Sequence, residues 1–139
     1  MTQRQIVYNK ATQFAKELEE LTVVSGNYLG NNKCHEMAFH NAHESKDNVV
    51  VALCFIPNSG VNIHFLNQAD EMVIDDTLGY LSQYNAYFKL AEFSIDELLE
   101  DYDHPLGASN LLMEFKLNMI NALFTEKEQE ELQIDTTHI

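Results

Sequence analysis

Apolar and polar positions along this chain repeat first at helical spacing, then alternately, then at helical spacing again. Val7, Phe14, Leu18 and Leu21 recur at helical intervals, and Thr2 with Gln5 fits a capping box, so the opening predicts a helix to about Glu20. TVVSGNYL follows as a strand and GNNK, with Gly30, as a turn. CHEMAFHN, from Cys34 to Asn41, alternates and reads as a strand running into the polar loop NAHESKD. NVVVALCFI is apolar and β-branched on both faces, the pattern of a central strand buried on two sides. PNSG is a turn, and VNIHFL alternates again. These elements predict an antiparallel meander of three to four strands.

Register assigns the faces of that meander. With Asn41 opposite Asn48, and Ile56 opposite Val61 across a four-residue turn, Met37, Phe39 and His35 share a core face with Cys54, Ile63 and Phe65. Cys34, Glu36 and His40 fall on the other face with Leu53 and His64, Leu53 lying between Glu36 and His64. The two cysteines are thereby kept apart.

The remainder predicts helices. Leu78, Leu81, Tyr84 and Phe88 mark one face of a helix from about Thr77 to Leu90, flanked by Tyr80 and Tyr87. Ser94 and Glu97 form a capping box for a short helix that starts at Ile95 and stops before Pro105. From Ala108 to Phe124 a long helix confines Asn110, Glu114, Asn118 and Asn121 to a narrow stripe, and only Lys116 interrupts its apolar remainder. A helix this apolar is buried at the centre of the chain or in a homodimer seam. Thr125 and Glu128 cap one more short helix. The fold class expected is α+β: an N-terminal helix, the antiparallel meander, and C-terminal helices packed on the sheet, with residues 1–139 forming a single domain.

Charge adds a function class. The chain of 139 residues carries 22 acidic against 8 basic residues, a net charge of −14, and between Asp70 and Asp103 ten acids face the single base Lys89. Such a field repels phosphate backbones and anionic lipids, which argues against direct nucleic-acid or membrane binding, and it steers a basic protein partner inward. Within that segment Asp75, Asp76, Asp96, Glu97, Glu100, Asp101 and Asp103 supply charge, and Tyr80, Tyr84 and Tyr87 supply aromatic anchors. The first residues lack an apolar run of signal-peptide length and the longest apolar stretch, Val49 to Pro57, is too short to span a bilayer, so a cytoplasmic protein with two free thiols is expected.

Candidate chemistry centres on residues 34–64. A zinc helix needs H-E-x-x-H, whereas His35, Glu36 and His40 give H-E-x-x-x-H, which turns the second imidazole about 140° from the first on a helix and to the opposite face on a strand. Glu36, His40, His43 and His64 stay as metal-ligand candidates, Cys34 next to His35 is a poor ligand pair, and Cys54 beside His35 is a nucleophile pair without a third member to orient the base. Asp75 with Asp76, and Asp101, Asp103 and His104, sit where capping and turn roles account for them. No G-x-S-x-G, phosphate-cradling loop or dinucleotide fingerprint occurs, and no cofactor is implied. The balance favours a non-enzymatic acidic domain that engages a basic, nuclease-like partner, as an inhibitor or immunity protein does. A small dimeric secretion chaperone or adaptor is the nearest rival, and a metal-dependent or Cys/His enzyme built on residues 34–64 is the third.

Overall fold

Two edges of one sheet meet on a single short ribbon. The computed structural model describes residues 3–26, 34–45, 47–56, 60–75, 83–99 and 105–131, and within them the side chains of 5–26, 38–45, 47–56, 60–75, 83–99 and 112–130. Its elements run α1 (Gln3–Ala15), β1 (Glu20–Leu21), β2 (Val23–Ser25), α2 (Cys34–Ser45), β3 (Asn48–Ile56), β4 (Gly60–Ala69), β5 (Met72–Asp75), β6 (Ala86–Phe93), α3 (Ile95–Leu99), α4 (Pro105–Leu123) and α5 (Glu126–Glu131). The fold is α+β, and its N-terminal helix is present. The sheet, however, has six strands in the order β1-β6-β3-β4-β5-β2. It is mixed, because β2 runs parallel to β5 whereas the other pairs are antiparallel. The meander of three to four antiparallel strands is therefore corrected.

Closure follows from the first two strands. Leu21 pairs with Tyr87 of β6, and Val23, two residues on, pairs with Val73 of β5. Backbone bonds from Lys89 N to Glu19 O and from Gly26 N to Asp75 O extend the two ladders. The ribbon from Glu19 to Gly26 thus joins both edges, and the curled sheet closes into a narrow barrel without leaving these edges unpaired.

β3 behaves as its sequence requires. Its residues Val49 to Cys54 are buried on both faces, with β4 on one edge and β6 on the other. Such a strand needs two neighbours, and the chain supplies the second from Ala86 to Phe93, not from the Cys34 stretch. Cys34–Ser45 is helix α2, which corrects the predicted strand. Its buried Ala38, Phe39 and Ala42 lie on one helical stripe, and the twelve residues contain no β-branched side chain. The predicted helix from Thr77 to Leu90 is likewise corrected over its last residues, which belong to β6; residues 76–82 lie outside the described residues.

Register is off by one from the sequence expectation. Ile56 pairs with Gly60, across three intervening residues instead of four. One residue of slip exchanges the faces. Val49, Val51, Leu53 and Phe55 face outward with Val61, Ile63 and Phe65, beneath the helices. Val50, Ala52, Cys54 and Ile56 face into the barrel with Leu66, Val73, Tyr87, Leu21 and Val23. Small residues at 50, 52 and 54 suit so narrow a bore.

The helical layer covers the outer face. Val7, Ala11 and Ala15 of α1, Leu112 and Ile120 of α4, and Leu98 of α3 join Phe65 and Ile63 in one core. On α4, Leu112, Lys116 and Ile120 are buried, whereas Glu114, Asn118 and Asn121 are exposed as the polar stripe predicts. Lys116 Nζ lies 5.9 Å from the centre of the Phe65 ring, so its charge is set against an aromatic face. Of the three expected capping boxes, Thr2 with Gln5 lies outside the described residues, and the bonds of the other two are present. Ser94 Oγ accepts from Glu97 N at 3.1 Å, and Thr125 and Glu128 bond reciprocally at 2.8 and 3.3 Å. Glu128 also takes Lys10 Nζ at 2.8 Å, tying α5 to α1.

Candidate functional site

The polar groups with chemical potential converge inside the barrel. Tyr87 Oη donates to Asp75 Oδ2 at 2.8 Å, His64 Nε2 lies 3.0 Å from the same oxygen, and Asn85 Nδ2 donates to Tyr87 Oη at 3.3 Å. Three strands, β4, β5 and β6, supply the three principal members. Inward-facing parity places them: His64 pairs across from Ala52, Tyr87 from Cys54, and Asp75 from Ser25 of the closing ribbon. Tyr87 Oη is the donor to Asp75, and His64 Nε2 donates to the same oxygen in the tautomer that carries its proton on that nitrogen.

Burial governs what this cluster can do. Asp75 is 0% exposed, and Cys54, Tyr87 and His64 are also buried. The Tyr87 phenol is held far above its ordinary range, chiefly by burial and then by the neighbouring Cys54 and Asp75, while its bond from Asn85 acts the other way. Asp75, Cys54 and Tyr87 are at most 1% exposed and His64 is 7% exposed, and their geometry ties three strands to one carboxylate.

A second polar group lies at another part of the same inward face. Val51 pairs with Ala91 and Ala52 with Lys89, so Leu90 is an extra residue in β6. Strict alternation would put Lys89 and Glu92 on opposite faces; the bulge brings them together. Lys89 Nζ donates to Glu92 Oε1 at 2.6 Å and Asn48 Nδ2 to Glu92 Oε2 at 2.5 Å. Hydrogen bonds from Lys89 first, and then Asn48, hold the Glu92 carboxyl below the usual range, and the bond to Glu92 raises Lys89.

The sequence candidates are dispersed. Cys34, His35 and Glu36 belong to α2, but their side chains lie outside the described residues. His40 is exposed, and His43 stacks on Phe39 with ring centres 6.0 Å apart. His64 is inside the barrel, so the row of Glu36, Leu53 and His64 does not exist. Among the described residues no group of three His, Cys, Asp or Glu side chains is placed to hold a metal ion. Of the proposed contact residues, Asp75 and Tyr87 point inward, Tyr84 is 63% exposed, and Asp96 and Glu97 are exposed on α3. Asp76, Tyr80, Glu100, Asp101 and Asp103 lie outside the described residues. Sequence reasoning missed the Asp75 cluster because its faces depended on the hairpin register.

The outer wall carries charge of one sign. No Lys or Arg occurs from Glu17 to Asn32 or from Asp47 to Phe88, a span that includes the closing ribbon and strands β3 to β5. Glu19, Glu20, Asp70 and Glu71 are exposed there. The lysines with described side chains are Lys10 on α1, Lys16 just after it, Lys89 on β6, Lys116 on α4 and Lys127 on α5, and Lys10, Lys89 and Lys116 are engaged by Glu128, Glu92 and the Phe65 ring. An open cleft of about 260 Å³ lies between α1 and the barrel, walled by Tyr8, Phe55 and Phe88, with Thr12 and Lys16 on the α1 side. Tyr8 and Phe88 each meet Phe55 edge-on at 5.5 Å. Among the described residues no helix is long and apolar enough to cross a membrane. Comparisons with protein-family models, curated proteins and solved structures give no match.

Proposed function

We propose that this protein is a non-enzymatic binding domain whose acidic exterior engages a basic protein, in the manner of an inhibitor or immunity protein. The observation that carries the reading is the separation of its polar groups into two sets. Cys54, His64, Asp75 and Tyr87 are sealed inside the barrel, whereas Glu19, Glu20, Asp70 and Glu71 lie outside it on a stretch without Lys or Arg. Uncompensated surface acids raise the rate of encounter with a cation-rich surface and repel nucleic acid and anionic lipid. The exposed Tyr84, Asp96 and Glu97 add aromatic and acidic contact groups.

Affinity purification from the source cells at low salt, elution with salt and reconstitution with the purified partner test the reading. The expected partner is basic, and its association rate falls steeply as ionic strength rises. An acidic partner, or a rate indifferent to salt, would overturn it.

A further inference from the structure

The wall opposite the helices has an apolar strip as well as charge. On the ribbon, Glu20, Thr22 and Val24 alternate outward, and Leu21 and Val23 inward. Val24 pairs with Ile74 of β5, and Met72 shares the outward parity of Ile74. Val24 is 38% and Met72 51% exposed, and Ile74 is half-buried between them and Asn67. Asn67 marks the strip's covered end, because its amide donates to Ala38 O of α2 at 2.8 Å. At the other end, β4 turns into β5 through Asp70 and Glu71, both exposed, with Asp70 at φ 53°.

Among the described residues, Tyr84 is exposed by itself, and the other large exposed apolar side chains fall in two pairs, on α1 and on the barrel wall. The one on α1, Ile6 and Tyr8, lies on the helix that carries Lys10 and is followed by Lys16. Val24 and Met72 lie on β2 and β5, which hold no Lys or Arg, and the neighbouring Glu20, Asp70 and Glu71 are exposed. A second copy of this chain would bring like charge to like charge, which disfavours it as occupant.

The geometry points to the strip of Val24, Met72 and Ile74, rimmed by Glu20, Asp70 and Glu71, as the docking surface for a protein segment that alternates lysine or arginine with aliphatic side chains. An extended segment of that kind presents its aliphatic groups to the strip on one face, and its cations reach the acidic rim. The inference rests on the proposed binding function and locates it on the barrel wall.

Methyl and amide NMR spectra of the full chain, titrated with the peptide Lys-Val-Lys-Leu-Lys and with penta-lysine, test it. Shifts are expected at the methyls of Val24, Met72 and Ile74 and at the amides of Asp70 and Glu71 with the mixed peptide, and roughly tenfold weaker binding with penta-lysine. The double variant Asp70→Lys, Glu71→Lys should abolish the response, and Met72→Ser should weaken it, each leaving the remaining spectrum in place. Equal affinity for penta-lysine, or shifts centred on Tyr8 and Phe88, would overturn the docking surface while leaving a cation-binding exterior intact. No response to either peptide would overturn the docking surface and count against the binding function together.

Discussion

Tyr87 and His64, twenty-three residues apart in sequence and on different strands, bond to the same carboxylate oxygen of Asp75, at 2.8 and 3.0 Å. One buried oxygen thus holds β4 and β6 to the end of β5, beside the point where the ribbon closes the barrel. Replacing the carboxylate by an amide keeps one acceptor oxygen but sets an NH2 donor in place of the other, which breaks up this shared arrangement. Asp75→Asn is expected to cost about 3 kcal/mol and Tyr87→Phe about 1 to 2 kcal/mol in denaturant unfolding. The double variant should fall short of the sum by roughly 1 kcal/mol, since both changes break the same bond.

On the alkaline side, the raised Tyr87 phenol sets a sign. The folded protein keeps a proton that the unfolded chain releases near pH 10, so the stability linked to Tyr87 is complete below about pH 10 and is lost as pH rises above it. Unfolding free energy measured across that range should decline, and Tyr87→Phe should flatten the decline. An unchanged slope in the variant would remove Tyr87 from the account.

In acid, the sign reverses. Glu92 and Glu128 both titrate below the usual range, held there by Lys89 and Lys10 respectively. Their contribution is present above about pH 4.3 and disappears as pH falls. Hydrogen exchange should detect early opening of α5 on acidification, because Glu128 both caps that helix and ties it to Lys10. Thr125→Ala should bring the same opening at neutral pH, at a cost of about 1 kcal/mol.

Cys54 supplies a probe of the barrel's integrity. The chain has two cysteines, so Cys34→Ser leaves Cys54 as its only thiol. Being buried, Cys54 should react with a thiol reagent only as fast as the barrel opens, and Asp75→Asn should accelerate that reaction. Immediate reaction in the native protein would contradict a sealed interior.

Much of the fold was legible wherever local chemistry decided it. The Ser94 and Thr125 capping boxes, the polar stripe of α4 and the doubly buried β3 all stand as their residues imply. What the pattern obscured was non-local. CHEMAFHN alternates by chance, and the absence of Val, Ile and Thr from Cys34–Ser45 was the better signal. AYFKLAEF fits a helix on spacing alone, yet pairing with β3 and β1 makes it a strand. Asp75 could not be grouped with His64 and Tyr87 from sequence, because one residue in the hairpin loop sets which face His64 takes.

The central claim is that the barrel's exterior acids recognise a cationic partner while its interior polar groups hold the fold together. Parallel measurement of peptide binding and unfolding free energy in Asp70→Lys, Glu71→Lys and in Asp75→Asn tests it most directly. The exterior pair should lose binding by about tenfold or more while losing only about 1 to 2 kcal/mol of stability to the left-handed backbone at position 70, and Asp75→Asn should lose more stability yet bind normally when folded. Binding that survives the exterior reversal but vanishes in folded Asp75→Asn would contradict the claim and place recognition inside the barrel.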